Sequence, residues 1–188
     1  MPAENIKRAI MRGTGELEGG QIDEILYEGY GPGGAAVLVN TATDNRNRTV
    51  SEIRHIFSKN GGNLGEQGSV SWMFDRKSQV IVDAENASED KLMDLLLDAG
   101  ADDIRDQDGA WEILSAPEAH DAVLQILQKA KIPTESAEIA MVPKNTIKIE
   151  GKNAHAMQKL YDVLDEHEDV QSVYGNYEVD EAEVEALA

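Results

Sequence analysis

The residues with the clearest chemistry are a run of cationic side chains in the first third of the sequence: Arg46, Arg48, Arg54, His55 and Lys59. Arginine presents a planar set of N–H donors that suits phosphate and carboxylate groups. The start of a helix also favours anions, because its free amides and dipole point at them. The run therefore predicts an anion-binding surface, with an ordinary solvated helix face as the alternative.

A helix is predicted to carry this cationic run. Val50, Ile53 and Phe57 recur at helical spacing and would form its apolar face. Thr49 and Glu52 have the spacing of a capping box, in which a hydroxyl and a carboxylate satisfy free amides at the start of a helix. The cationic side chains then lie largely on the opposite face, where solvent reaches them.

Two polar residues in the next loop complete the candidate surface. Gly61 and Gly62 are predicted to end the helix, and Asn63 and Gln67 follow them. Pairing of the arginines with acidic neighbours in the sequence is the alternative to nucleic-acid contact. The candidate nucleic-acid-binding residues are Arg46, Arg48, Arg54, His55, Lys59, Asn63 and Gln67.

The rest of the sequence offers no catalytic or metal-binding pattern. It contains no cysteine, which excludes thiolate metal sites and cysteine nucleophiles. The histidines at 55, 120, 155 and 167 lack the i, i+4 spacing of a zinc-binding helix. Gly31–Gly34 stands between two predicted strands, which favours a hairpin turn over a phosphate-binding loop. We therefore expect no enzyme activity, no cofactor and no metal.

Charge is distributed unevenly along the chain. The net charge is −19, of which residues 1–77 contribute −1 and residues 78–188 contribute −18. An acidic surface repels a polyanion, so contact with nucleic acid is expected in the first segment. The sequence has neither the apolar run of about 20 residues that a membrane span needs nor a signal-peptide pattern. We expect a cytoplasmic protein, monomeric and without a membrane partner.

The middle of the chain predicts a domain of its own. Residues 78–142 follow the order β-α-β-β-α-β, which is the ferredoxin-like arrangement with helices on one face of an antiparallel sheet. Asp106–Gly109 is the turn signal between its second and third strands. This segment is expected to be inserted into another domain.

The flanking segments are each incomplete. Residues 21–77, with a predicted strand at Ser69–Phe74, and residues 143–180 cannot separately bury their helices, so we expect them to join into one split domain. The predicted fold class is α+β, with two ferredoxin-like α/β-sandwich domains, the second inserted into the first. A short N-terminal helix and a glycine-rich linker at 1–20 precede them, and a frayed acidic tail at 181–188 follows.

Several long runs, in order along the chain, resemble the YebC/PmpR family. These runs are Asn5–Ile10, Arg12–Glu16, Tyr27–Gly34, Thr43–Thr49 and Gly61–Gly65. The family includes the mitochondrial translational activator of cytochrome c oxidase subunit I. The resemblance extends over essentially the whole chain and implies a split α+β domain with a second α+β domain inserted.

The resemblance implies regulation without catalysis. Members are described as DNA-binding transcriptional regulators, so DNA is the expected partner. Other members act on the ribosome as translation factors, so ribosomal RNA or the ribosome is the alternative. A small-molecule-binding regulatory module is a further alternative, from fold analogy alone. Members usually carry a basic N-terminal domain ahead of the position of Met1, and without it we expect weak binding to nucleic acid.

Overall fold

A computed structural model describes residues 21–187 of the chain and divides it into two compact units. The first unit holds the described residues up to Phe74 and those from Pro143 onward, and the second unit is Asp75–Val142. The predicted helix and linker at 1–20 lie outside the described residues. Between residues 21 and 187, the helices are all too short or too polar to cross a membrane.

Both units contain strands and helices. In chain order they are β1 (Asp23–Tyr30), β2 (Ala36–Thr43), α1 (Arg46–Lys59), β3 (Asn63–Leu64), β4 (Phe74–Asp83), α2 (Glu89–Leu96), β5 (Ala101–Gln107), β6 (Ala110–Ser115), α3 (His120–Lys129), β7 (Ser136–Pro143), β8 (Ile147–Lys148), α4 (Gly151–Asp165), β9 (Val170–Gly175), β10 (Tyr177–Glu178) and α5 (Glu181–Leu187). Short 3-10 turns occupy Pro32–Gly34, Ser71–Met73 and Pro117–Ala119. The predicted hairpin strands on either side of Gly31–Gly34 are therefore confirmed as β1 and β2.

The first unit is built on a four-stranded sheet with the order β3-β1-β2-β9. The antiparallel β1–β2 hairpin pairs Asp23 with Thr43 at its open end and Tyr30 with Ala36 at its turn. Strand β9, from the far end of the chain, adds antiparallel to β2. The two chain segments of this unit therefore complete one sheet, and β8 and β10 form a separate parallel pair.

Helices α1 and α4 share a core with this sheet. Strand β2 contributes Val37 and Val39, which are fully buried. Ile53 and Phe57 of α1 and the apolar side of α4 pack into the same core. Deleting a side chain such as Phe57 from a packed core costs about 3–5 kcal/mol, so the apolar face of α1 fixes which of its residues point outward.

The second unit has the ferredoxin-like strand order. Its sheet runs β5-β6-β4-β7, and β6 pairs antiparallel with both β4 and β5. Val80, Val82 and Ile113 form a core with the buried leucines of α2 and α3. Ser88 caps α2, because its hydroxyl accepts the backbone N–H of Lys91 at 3.3 Å. The predicted two-domain α+β class is confirmed, although the first unit opens on a hairpin instead of a β-α-β step.

Two local predictions are wrong. Ser69–Phe74 is predicted as a strand, but Ser71–Met73 is a 3-10 turn and the strand begins at Phe74. The acidic tail is predicted to fray, but Glu181–Leu187 is helical. Both carboxylate oxygens of Glu183 accept the backbone N–H of Gly151 at 3.0 Å, which satisfies a free amide at the start of α4.

Candidate nucleic-acid interface

The cationic helix begins earlier than the sequence indicates. Asn45 is its N-cap, and its side-chain oxygen accepts the backbone N–H of Arg48 at 3.1 Å. Thr43 Oγ accepts the backbone N–H of Asn45 at 2.9 Å, which fixes the entry of the chain. The predicted capping box at Thr49 and Glu52 is therefore wrong, because Thr49 lies inside the helix and is fully buried.

Arg48 does not present its charge to solvent as the sequence suggests. Its Nη2 donates to both carboxylate oxygens of Asp169, at 3.1 and 2.9 Å. Asp169 is 2% exposed, so Arg48 is paired with a buried carboxylate. The hydrogen bond to Asp169 raises the pKa of Arg48 further above its ordinary value. Arg48 therefore anchors α1 within the first unit, 121 positions along the chain from its partner.

The contacts of Asp169 extend into a network that joins α1 to the start of β9. Thr49 Oγ1 donates to Asp169 at 2.8 Å. The backbone N–H of Asp169 donates to His167 Nδ1 at 3.1 Å, so the other ring nitrogen carries the proton of the neutral ring. That nitrogen, Nε2, lies 2.8 Å from a carboxylate oxygen of Glu52. Glu52 and Thr49 therefore serve this network instead of a helix cap.

The same network contains the group of side chains within residues 21–187 whose arrangement could hold a metal ion. Ligand atoms of Glu52, His167 and Asp169 lie within 4.8 Å of one another. Each of these atoms is engaged in a hydrogen bond, and the guanidinium of Arg48 already neutralises Asp169. A cation would have to displace Arg48, so the geometry favours a structural network over a metal centre.

Four of the predicted contacts are exposed on α1 and are here called the exposed stripe, and at 3.6 residues per turn they spread over more than half of the helix circumference. Arg46 has 67% of its side chain exposed and lies 3.9 Å from Asp23, a distance typical of a weak surface pair. Arg54, His55 and Lys59 are exposed on the outer side of the helix. At 1.5 Å per residue the stripe from Arg46 to Lys59 is about 20 Å long.

Asn63 and Gln67 lie apart from that stripe, in and after β3. Asn63 pairs with Tyr30 on β1, and both Asn63 and Gln67 are exposed. Two backbone segments approach so closely here that only glycine fits. A Cβ at Gly29 would lie 2.7 Å from the carbonyl oxygen of Asn63, and one at Gly62 would lie 2.5 Å from that of Tyr30. The two glycine-rich runs thus hold this loop against β1.

Glu28, which sequence reasoning missed, holds the remainder of the loop. Its carboxylate is 3% exposed and accepts the backbone N–H groups of Gly68, Val70 and Ser71, the last two at 3.0 and 2.6 Å. Burial by itself raises the pKa of Glu28, but these hydrogen bonds outweigh burial and the net pKa is lowered. Strand β1 also carries Asp23 and Glu24, so the acidic type of Glu28 does not by itself reveal that this residue is buried.

The loop presents one large aromatic side chain, Trp72, also missed from the sequence. Trp72 is 64% exposed, and its Nε1–H donates to the carbonyl oxygen of Ser69 at 3.0 Å. Because Glu28 fixes the loop backbone and Ser69 fixes the indole, the ring is held in place while it faces solvent. Such a ring can stack on a base or pack against another apolar surface.

The fold and this surface define a class of protein: two α+β units, one inserted into the sequence of the other, with exposed cationic side chains on a helix of the first unit. Within that class the chain belongs to the TACO1/YebC family. The family model described as "TACO1/YebC second and third domain" matches residues 22–177. The resemblance seen in the sequence is thereby confirmed.

The similar proteins match nearly all of this chain. A protein of Solibacter usitatus named "Probable transcriptional regulatory protein" is 65% identical over 188 residues, which are 100% of this chain and 76% of that protein. A protein of Acidobacterium capsulatum with the same name is 52% identical over 97% of this chain and 74% of its own length. The crystal structure of a conserved hypothetical protein from Aquifex aeolicus matches with a TM-score of 0.79 and 46% identity, over 96% of this chain and 75% of that one.

Proposed function

We propose that this chain is a cytoplasmic regulatory protein without catalytic activity, and that it binds DNA through the exposed cationic stripe of α1. The observation that carries the proposal is the exposure of Arg46, Arg54, His55 and Lys59 on a helix of the near-neutral part of the chain. The name shared by the relatives, "Probable transcriptional regulatory protein", supports the regulatory part.

The stripe suits the phosphate backbone. Exposed arginine and lysine side chains contact phosphates from one side of a duplex, and such contacts position a protein without specifying a sequence. Arg48 takes a different role, because its bond to Asp169 holds the N-terminal end of α1 near the start of β9. Asn63 and Gln67, on the loop that follows the helix, supply amide donors and acceptors beyond the end of the stripe.

A matched pair of triple variants tests this surface. R46Q/R54Q/K59Q removes the stripe, and K129Q/K152Q/K159Q removes the same charge from exposed positions on α3 and α4. Binding of a labelled duplex DNA is measured by fluorescence anisotropy at low salt. We expect the first variant to bind at least about tenfold more weakly than the parent. Equal binding by both triple variants would make the stripe a solvated helix face.

A second comparison tests whether duplex DNA is the preferred nucleic acid. The same labelled sequence is offered as duplex DNA, single-stranded DNA and single-stranded RNA to the full chain. The proposal requires duplex DNA to be bound most tightly and the α1 variant to lose that binding. Tighter binding of RNA would instead assign the stripe to a translation-factor role.

A further inference from the structure

The second unit exposes two large apolar side chains on one helix. Met93 of α2 is 47% exposed, and Leu97, the residue that ends the helix, is 68% exposed. They are four positions apart, so they form one ridge along the helix. A groove of about 200 Å³ separates this ridge from Ala101 and Ile104 of β5. A second, open depression of about 500 Å³ is lined by the ridge together with Asp90, Asp94 and Asp98.

Carboxylates surround this apolar ridge. They are Glu89, Asp90, Asp94, Asp98, Asp102 and Asp103. Asp102 is already paired with Lys77 at 2.8 Å, and Asp103 with Arg105 at 2.7 Å. The cations next to the surface therefore neutralise its β5 side and leave the α2 side strongly negative.

The acidic side of α2 contradicts the local rules of helix stability. Asp90 and Asp94 lie at i, i+4 spacing within α2, where like charges destabilise a helix, and Asp98 follows in the turn after the helix. The last turn of α2 carries no basic residue to match the negative end of the helix dipole. Lys91 of the same helix stands two positions from Met93 and so does not face the ridge. Such conflicts are expected where a surface serves a partner that relieves them.

The charge and the apolar ridge of this surface indicate the kind of partner. Within residues 21–187, the carboxylates of α2 do not converge as a metal ion requires, since the group with that geometry is Glu52, His167 and Asp169. A nucleic acid would be repelled by this charge. A partner with spread-out cations and an apolar anchor satisfies both the row of aspartates and the ridge.

We propose that this face of α2 binds a lysine- and arginine-rich amphipathic segment of a partner protein. Apolar side chains of that segment pack beside Met93 and Leu97, and its cations pair with Asp90, Asp94 and Asp98. The site lies in the second unit and does not depend on nucleic-acid binding by α1. The two functions are therefore separately testable.

A synthetic probe tests the site on the full chain. The probe is a labelled peptide of about fourteen residues, made of leucine and lysine in helical spacing, and a scrambled peptide of the same composition is its control. The variants are D90N/D94N/D98N for the charges and M93S/L97S for the ridge. D106N/D108N/E118Q removes three exposed carboxylates of the same unit outside the grooves. Thermal melts establish that each variant is folded.

We expect the parent to bind the amphipathic peptide and each of the two surface variants to bind it about tenfold more weakly. The control variant should stay within about twofold of the parent, and the scrambled peptide should bind less well. Equal loss in the control variant, unchanged binding by M93S/L97S, or no binding by the parent would each overturn the proposal. If a variant fails to fold, hydrogen exchange of the parent decides: peptide-induced protection must fall within residues 89–104.

Discussion

The ion pair between Arg48 and Asp169 gives the most informative test of how α1 is held. Asp169 is buried, and Nη2 of Arg48 reaches both of its oxygens at 3.1 and 2.9 Å. Removing one partner of a buried pair costs about 3–5 kcal/mol, because a charge is left without compensation. Because 35% of the Arg48 side chain is exposed, water can partly take the place of the lost guanidinium beside Asp169. We therefore expect R48M to lower the free energy of unfolding by about 2–3 kcal/mol.

A double-mutant cycle separates the pair from its surroundings. D169N keeps an acceptor for Arg48 but loses the charge, and we expect it to cost about 1–3 kcal/mol. The double variant R48M/D169N should cost less than the sum of the two, with a coupling of about 1–2 kcal/mol. R54M, an exposed change on the same helix, should cost less than about 0.5 kcal/mol.

Urea unfolding followed by circular dichroism measures these differences as shifts in the midpoint at constant slope. A coupling below about 0.5 kcal/mol would show that the pair does not hold α1 in place. R48M and R54M costing the same would refute the separation of Arg48 from the exposed stripe.

Three further outcomes follow from the same structure. E28Q should speed hydrogen exchange at the amides of Gly68, Val70 and Ser71, because the charge-assisted hydrogen bonds it weakens are worth about 1.5–3 kcal/mol each. The pKa of Glu28 is lowered in the folded state, so Glu28 stabilises the fold fully above its unfolded pKa of about 4.3. This stabilisation is lost as the pH falls through the folded pKa. Urea unfolding between about pH 2 and pH 6 should show the loss of this contribution in the parent and not in E28Q. We also predict that Asp75–Val142 expressed alone melts cooperatively, since it holds a complete sheet and core; a non-cooperative melt would contradict its independence.

Local patterns carry most of what the sequence predicts about the fold. The hairpin strands on either side of Gly31–Gly34 and the apolar face of α1 depend on neighbours within a few positions, and the structure has them. The strand predicted at Ser69–Phe74 depends on a distant residue instead. Glu28, some 40 positions away, captures amides that a strand would pair with its neighbour, and a 3-10 turn results.

The residues of the candidate surface also fall into those that local patterns predict and those that depend on distant contacts. Helical periodicity places Arg54, His55 and Lys59 outside, because the apolar face formed by Ile53 and Phe57 fixes the rotation of α1. Arg48 has the same periodicity but meets Asp169 from the far end of the chain. A contact between residues so far apart in the chain produces no recognisable pattern in a single sequence. The role of Glu28 was missed for the same reason, because its hydrogen-bond partners lie about 40 positions further along the chain.

The salt dependence of DNA binding tests the central claim most directly. Each phosphate contact contributes about 0.9 to the slope of log affinity against log salt, so losing three contacts should flatten the slope by about 2–3. We predict that flattening for R46Q/R54Q/K59Q on duplex DNA and an unchanged slope for K129Q/K152Q/K159Q. If the slope of R46Q/R54Q/K59Q equals that of the parent, α1 does not contact the phosphates and the proposed interface is wrong.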